Sequence, residues 1–91
     1  MWTDDEIFQR LRPLCARVLT VPPADVTRGA DLRRELGADS LDLAELAMVV
    51  EEAFGFAVEE EAIGRARTVE DVIGLIRARL DAERSLAGRP A

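Results

Sequence analysis

Apolar residues return at steps of three and four in three long stretches of this chain, the spacing of one buried helical face. The first set is Ile7, Leu11, Leu14, Cys15 and Val18. Thr3 and Glu6 stand at capping-box spacing ahead of it, with Asp4 and Asp5 adding favourable charge to the first turn. Pro13 lies inside this stretch. It removes a backbone bond and crowds the carbonyl of Gln9, which predicts a kink or a tightened turn. A second helix is predicted from Ser40 to Phe54, stopped by Gly55 in a left-handed cap. A short helix near Glu59 to Arg65 precedes the last one, which Thr68-Val69-Glu70-Asp71 opens with Thr68 as N-cap and Asp71 in the box position. Val69, Val72, Ile73, Ile76 and Leu80 supply its buried face. Between the first two helices, residues 20–39 hold Pro22, Pro23, Gly29 and Gly37 and read as a long ordered loop with one helical turn near Asp31 to Leu36. Val21, Val26 and Leu32 are expected to pin it, and a loop of that length in a small domain normally has a use.

The second helix has two apolar faces. At 100° per residue from Leu43, the residues Leu46, Ala47, Val50 and Phe54 fall within about 60° and form a core stripe. Leu41 and Met48 fall about 140–160° away, beside Glu45 and Glu52. Apolar side chains ringed by carboxylates on an outer face suggest recognition by another protein.

Composition sharpens this picture. The chain has 91 residues, which fits one domain over 1–91 with a core of about 3–82 and a flexible tail over 83–91. Hydrophobic content of 48% with only 4% aromatic favours packed helices over a sheet. Net charge is −6 with no lysine, which argues against nucleic acid and for basic protein partners. From Glu35 to Gly64 the chain holds 9 of its 18 acids and none of its 12 basic residues. Cys15 is the sole cysteine, so no internal disulfide forms, and it reads as a small core residue. With no His and no calcium-loop pattern, no metal is expected. No signal-peptide core or run of 18 apolar residues occurs, so no membrane insertion and a cytoplasmic location are expected, and like-charge repulsion suggests a monomer.

The run Leu36-Gly37-Ala38-Asp39-Ser40-Leu41-Asp42, followed by Glu45-Leu46 and Glu51-Glu52-Ala53-Phe54, resembles the acyl carrier proteins of bacterial fatty-acid and polyketide synthesis. The resemblance extends from about Val18 to Leu80 and includes the helix order, the long first loop and the Thr-Val-Glu-Asp opening. It implies an all-α bundle of three main helices plus one short helix. It also implies that Ser40, flanked by Asp39 and Leu41, carries a 4′-phosphopantetheine arm from coenzyme A whose thiol holds acyl groups as thioesters. A phosphopantetheinyl transferase, an acyl-loading enzyme, a ketosynthase and an acyltransferase are the implied partners. They would meet Asp42, Ala44, Glu45, Met48, Glu51, Glu52 and Val58. An acyl pocket would be lined by Leu46, Val50, Phe54, Ala62, Ala66, Val72 and Ile76, a set that together with Val58 also reads as plain core. Arg33, Arg34, Leu32, Glu59, Val72 and Leu75 depart from the usual fatty-acid pattern, which leaves the partner set and pocket depth open.

The residues agree with a non-enzymatic role. With no His, no Tyr and a buried-looking Cys15, neither a nucleophile-base pair nor a cysteine dyad can be assembled. Ser40 at a helix start would place a phosphate against free amides and the positive dipole end. Asp39 and Asp42 are expected to cap the helix and to meet Arg or Lys on a visiting enzyme. The other readings are an aminoacyl or peptidyl carrier of nonribosomal synthesis, and an unmodified acidic helical adaptor. A carboxylate-based hydrolase would need a cleft that so small a bundle rarely provides.

Overall fold

The computed structural model of the chain describes residues 2–87. It contains four helices: α1 over Asp4–Leu19, α2 over Ser40–Phe54, α3 over Glu60–Arg65 and α4 over Val69–Ala87. No strand occurs among the described residues, and Asp31 and Thr68 form an isolated bridge. α2 packs against α1 and α3, and α1 packs against α4. Three long helices and one short one, with a long loop between α1 and α2, is the bundle the apolar periodicity predicts. α4 continues to Ala87, and residues 88–91 of the expected tail lie outside the described residues.

Local chemistry sets the helix ends. Thr3 caps α1 through a complete box, its hydroxyl accepting the Glu6 amide at 3.1 Å while Glu6 accepts the Thr3 amide at 3.0 Å. α1 runs through Pro13, which faces solvent, and ends on Thr20 in left-handed conformation. Gly55 ends α2 at φ 79°, where any side chain would be strained. At α4, the Thr68 hydroxyl accepts the Asp71 amide at 3.2 Å. Asp71 in turn accepts the Thr68 amide at 3.1 Å and the Arg67 amide at 2.9 Å.

Those amides hold the Asp71 carboxyl below its ordinary value of 3.8. The folded protein therefore binds fewer protons than the unfolded chain in that window. The stabilisation is complete above the unfolded value and is lost as pH falls through the folded one. Asp71→Ala should lower the melting temperature at pH 7. Its gap to wild type should close as pH is taken from about 5 towards 2, which melting curves across that range would show.

One core holds the elements together. Ile7, Leu11 and Cys15 of α1, Leu43, Leu46 and Val50 of α2, Ile63 of α3, and Val69, Val72, Ile73 and Ile76 of α4 are all buried in it. Burial pushes the Cys15 thiol up to about 12, which makes it an inert packing residue.

The loop carries a 3-10 turn over Pro23–Asp25, where proline presets the backbone, and the helical turn expected near Asp31 to Leu36 is present as a single turn that does not continue. There the Asp31 carbonyl accepts the amides of both Glu35 and Leu36 at 3.0 Å. Val26 and Leu32 are buried and Val21 half-buried, as the pinning argument requires. The loop is also stitched to the start of α4. Leu32 N–H donates to the Arg67 carbonyl at 2.8 Å, Val69 N–H to Ala30 at 3.1 Å and Glu70 N–H to Arg28 at 2.8 Å. Arg28 reinforces the seam, pairing with Glu70 at 2.8 Å, Asp5 at 3.2 Å and Asp4 at 3.7 Å. The hydrogen bond from Arg28 holds the Glu70 carboxyl below its ordinary value.

Candidate functional site

The start of α2 is built by two aspartates. Asp39 is extended, with φ −108° and ψ −176°, and its Oδ1 accepts the Asp42 amide at 2.8 Å. Asp42 Oδ2 accepts the Asp39 amide at 3.1 Å, completing a capping box. Both carboxylates that bracket Ser40 are therefore committed to backbone donors. Gly37 turns the chain into this cap at φ 74°. Ala38 N–H then donates to the Leu32 carbonyl at 2.8 Å, and the side chains of Leu36 and Ala38 are buried. The cap is thus fastened to the core on its upstream side.

Ser40 is the first residue of α2 and is exposed. Its hydroxyl makes no hydrogen bond to the described residues, and neither do the amides of Ser40 and Leu41. Two free donors at the positive end of a four-turn helix offer partners to phosphate oxygens. The residues present therefore fit a phosphodiester on the Ser40 oxygen. Ser40 lines a depression of about 230 Å³ together with Leu43 and Ala44 of α2, Glu60, Glu61 and Gly64 of α3, and Arg33.

The outer face of α2 lies as its periodicity requires. Leu41 is 81% exposed and Met48 58%, making them, with Trp2, the exposed large apolar side chains among the described residues. Glu45 and Glu52 beside them are exposed, while Asp42 and Ala44 are half-buried. Glu51 is half-buried and accepts the Val58 amide at 2.8 Å, so it holds the link between α2 and α3. Val58 stands apart from this face. It is 6% exposed, because the link is extended and alternates, turning Phe56 and Val58 inward and Ala57 and Glu59 out.

The apolar set expected to line a pocket is divided among four places. Leu46, Val50, Val72 and Ile76 are fully buried in the common core. Phe54 sits at the far end of α2, about 20 Å along the axis from Ser40, half-buried with its ring centroid 5.3 Å from Trp2. Ala62 lines a groove of about 280 Å³ with Val58, Leu75 and Ala78, and Ala66 lines a separate cleft at the end of α3. Reading the sequence missed Arg33 as a neighbour of Ser40. The Arg33-Arg34 pair is plain in the chain, but only the folded loop brings it there.

Comparison with known proteins bears on this site. The family described as Phosphopantetheine attachment site matches residues 9–76, a span that contains the whole α2 start. The chain is 38% identical over 76 residues to an acyl carrier protein of Coprothermobacter proteolyticus, covering 84% of this chain and 93% of that one. It is 38% identical over 76 residues to an acyl carrier protein of Treponema pallidum, covering 84% and 97%. An acyl carrier protein of Saccharopolyspora erythraea is 41% identical over 70 residues, covering 77% of this chain and 74% of that one.

Proposed function

The chain belongs to the acyl carrier protein family, and on that premise we propose that Ser40 bears the phosphopantetheine arm and that partner enzymes grip the outer face of α2. When bound, the arm supplies a flexible tether ending in a thiol, on which an acyl group is held as a thioester. The observation that carries the reading is the Ser40 hydroxyl, exposed and unbonded on a helix start that other residues already cap.

The protein's own residues do three things. The Ser40 Oγ presents an accessible oxygen to a phosphopantetheinyl transferase. The Ser40 and Leu41 amides and the α2 dipole offset the charge that the phosphodiester brings. Asp42, Glu45 and Glu52 steer encounter with basic patches on the transferase, acyl-loading enzymes, ketosynthases or acyltransferases of fatty-acid, polyketide or related synthesis. Leu41 and Met48 add apolar contact once docked. Bond making and breaking on the cargo belongs to those enzymes. With no His or Tyr and a thiol pushed up to about 12, this chain carries and presents.

A transferase and a fluorescent coenzyme A analogue test the reading, because the protein should become covalently fluorescent in a denaturing gel. An unlabelled band beside a labelled control carrier would refute it. The docking face has its own check. Leu41→Ser and Met48→Ser should change stability by no more than about 0.5 kcal/mol. They should nevertheless slow transferase labelling, and labelling of wild type should slow as salt rises from about 0.05 to 0.5 M. A melting loss as large as that of a core truncation would show that these side chains serve the fold instead.

A further inference from the structure

Four of the chain's 12 basic residues, Arg33, Arg34, Arg65 and Arg67, line one cleft of about 340 Å³ where the loop before α2 meets the end of α3. The one carboxylate lining it, Asp31, has its Oδ1 committed to the amides of Arg33 at 3.0 Å and Arg34 at 2.9 Å. Among the described residues none of the four guanidinium groups forms an ion pair, which is also true of Arg10, Arg12 and Arg17 on α1, whereas Arg28, Arg77 and Arg79 do. Arg33 Nη2 reaches only the Gly64 carbonyl, at 3.5 Å. Four like charges gathered around one cleft repel one another, and a bound anion would relieve that repulsion.

The cleft adjoins the attachment site. Arg33 and Gly64 line both it and the depression beside Ser40. Glu60 and Glu61 of α3 also line that depression, so an anion on an arm extending from Ser40 is repelled by those two carboxylates and attracted towards Arg33. Resting on the carrier reading, we infer that the arginine cleft is a subsite for the free carboxylate of a carboxyacyl cargo tethered to Ser40. A planar guanidinium fork matches a carboxylate in two-point geometry, and four around one cleft give the tethered group several such positions. A neutral acyl chain finds no comparable partner there. The phosphodiester on Ser40 is a second anion of the same general class, and cargo controls separate the two.

The test loads the protein with the bare arm, a butyryl arm or a succinyl arm, using a broad-specificity transferase and the corresponding coenzyme A. Arginine side-chain N–H resonances are then compared. The succinyl form should shift Arg33, Arg34, Arg65 and Arg67 relative to the bare and butyryl forms. Its ¹³C-labelled carboxylate should titrate about half a unit lower than in free succinyl-pantetheine. Both effects should shrink in about 0.5 M salt and in the Arg34→Gln/Arg67→Gln variant. Identical shifts in all three forms would assign the cleft to the phosphodiester and overturn the cargo inference. Succinyl loading with no shift at these arginines would overturn it as well. Absence of any added mass on the protein is a different failure, one that removes the carrier reading and this subsite together.

Discussion

Ser40→Ala should abolish attachment of the arm while leaving stability within about 0.5 kcal/mol of wild type. A serine at a helix start is often its N-cap, and losing such a cap costs about 0.5–2 kcal/mol. Here the cap is Asp39, whose carboxylate takes the Asp42 amide, and Asp42 returns the bond. Ser40 is one residue inside, exposed, with a hydroxyl that bonds nothing described. Alanine suits a helical position at least as well, so the fold has no use for this oxygen. The same substitution separates a carrier from an acidic adaptor, which would keep its partners without the hydroxyl. Chemical denaturation together with transferase labelling checks both halves. A loss above about 1 kcal/mol, or labelling that persists, would contradict the assignment.

Leu46→Ala should show the opposite profile. Leu46 has 0% exposure and sits where α2 meets the rest of the core, so truncation removes buried methyl groups and leaves a cavity. The expected loss is about 2–5 kcal/mol. Against a typical domain stability of about 5–15 kcal/mol, that is a large fraction. The midpoint should fall by at least about 8 °C. Calorimetry or a melting curve reads it directly. If this variant and Met48→Ser melt alike, the separation of α2 into a core face and a docking face is wrong.

The parts of this molecule that sequence alone discloses are those set by neighbours within one helical turn. Thr3 with Glu6, Asp39 with Asp42, Gly55 after Phe54, and Thr68 with Asp71 are local signals, and each lies at the end of its helix in the structure. Angular position on α2 is equally local, so the outward Leu41 and Met48 are legible without coordinates. What stays hidden depends on residues distant along the chain. The loop's turn near Asp31 is shaped by bonds from Leu32 to Arg67 and from Val69 to Ala30, and no periodicity reports those. The seam made by Arg28 with Asp4, Asp5 and Glu70 is hidden for the same reason. Val58 reads both as a partner contact and as plain core, and the fold decides for core, because the extended link turns alternate residues inward and the Val58 amide is held by Glu51. The arginine cleft joins two pairs, Arg33 with Arg34 and Arg65 with Arg67, that only the fold brings together.

The carrier role depends on the oxygen at position 40 as the anchor of the arm. Intact-mass measurement after incubation with coenzyme A and a broad-specificity transferase, followed by peptide fragmentation, tests it most directly. A single added phosphopantetheine located on Ser40 is expected. An unchanged mass, or the group located on any other residue, would contradict it.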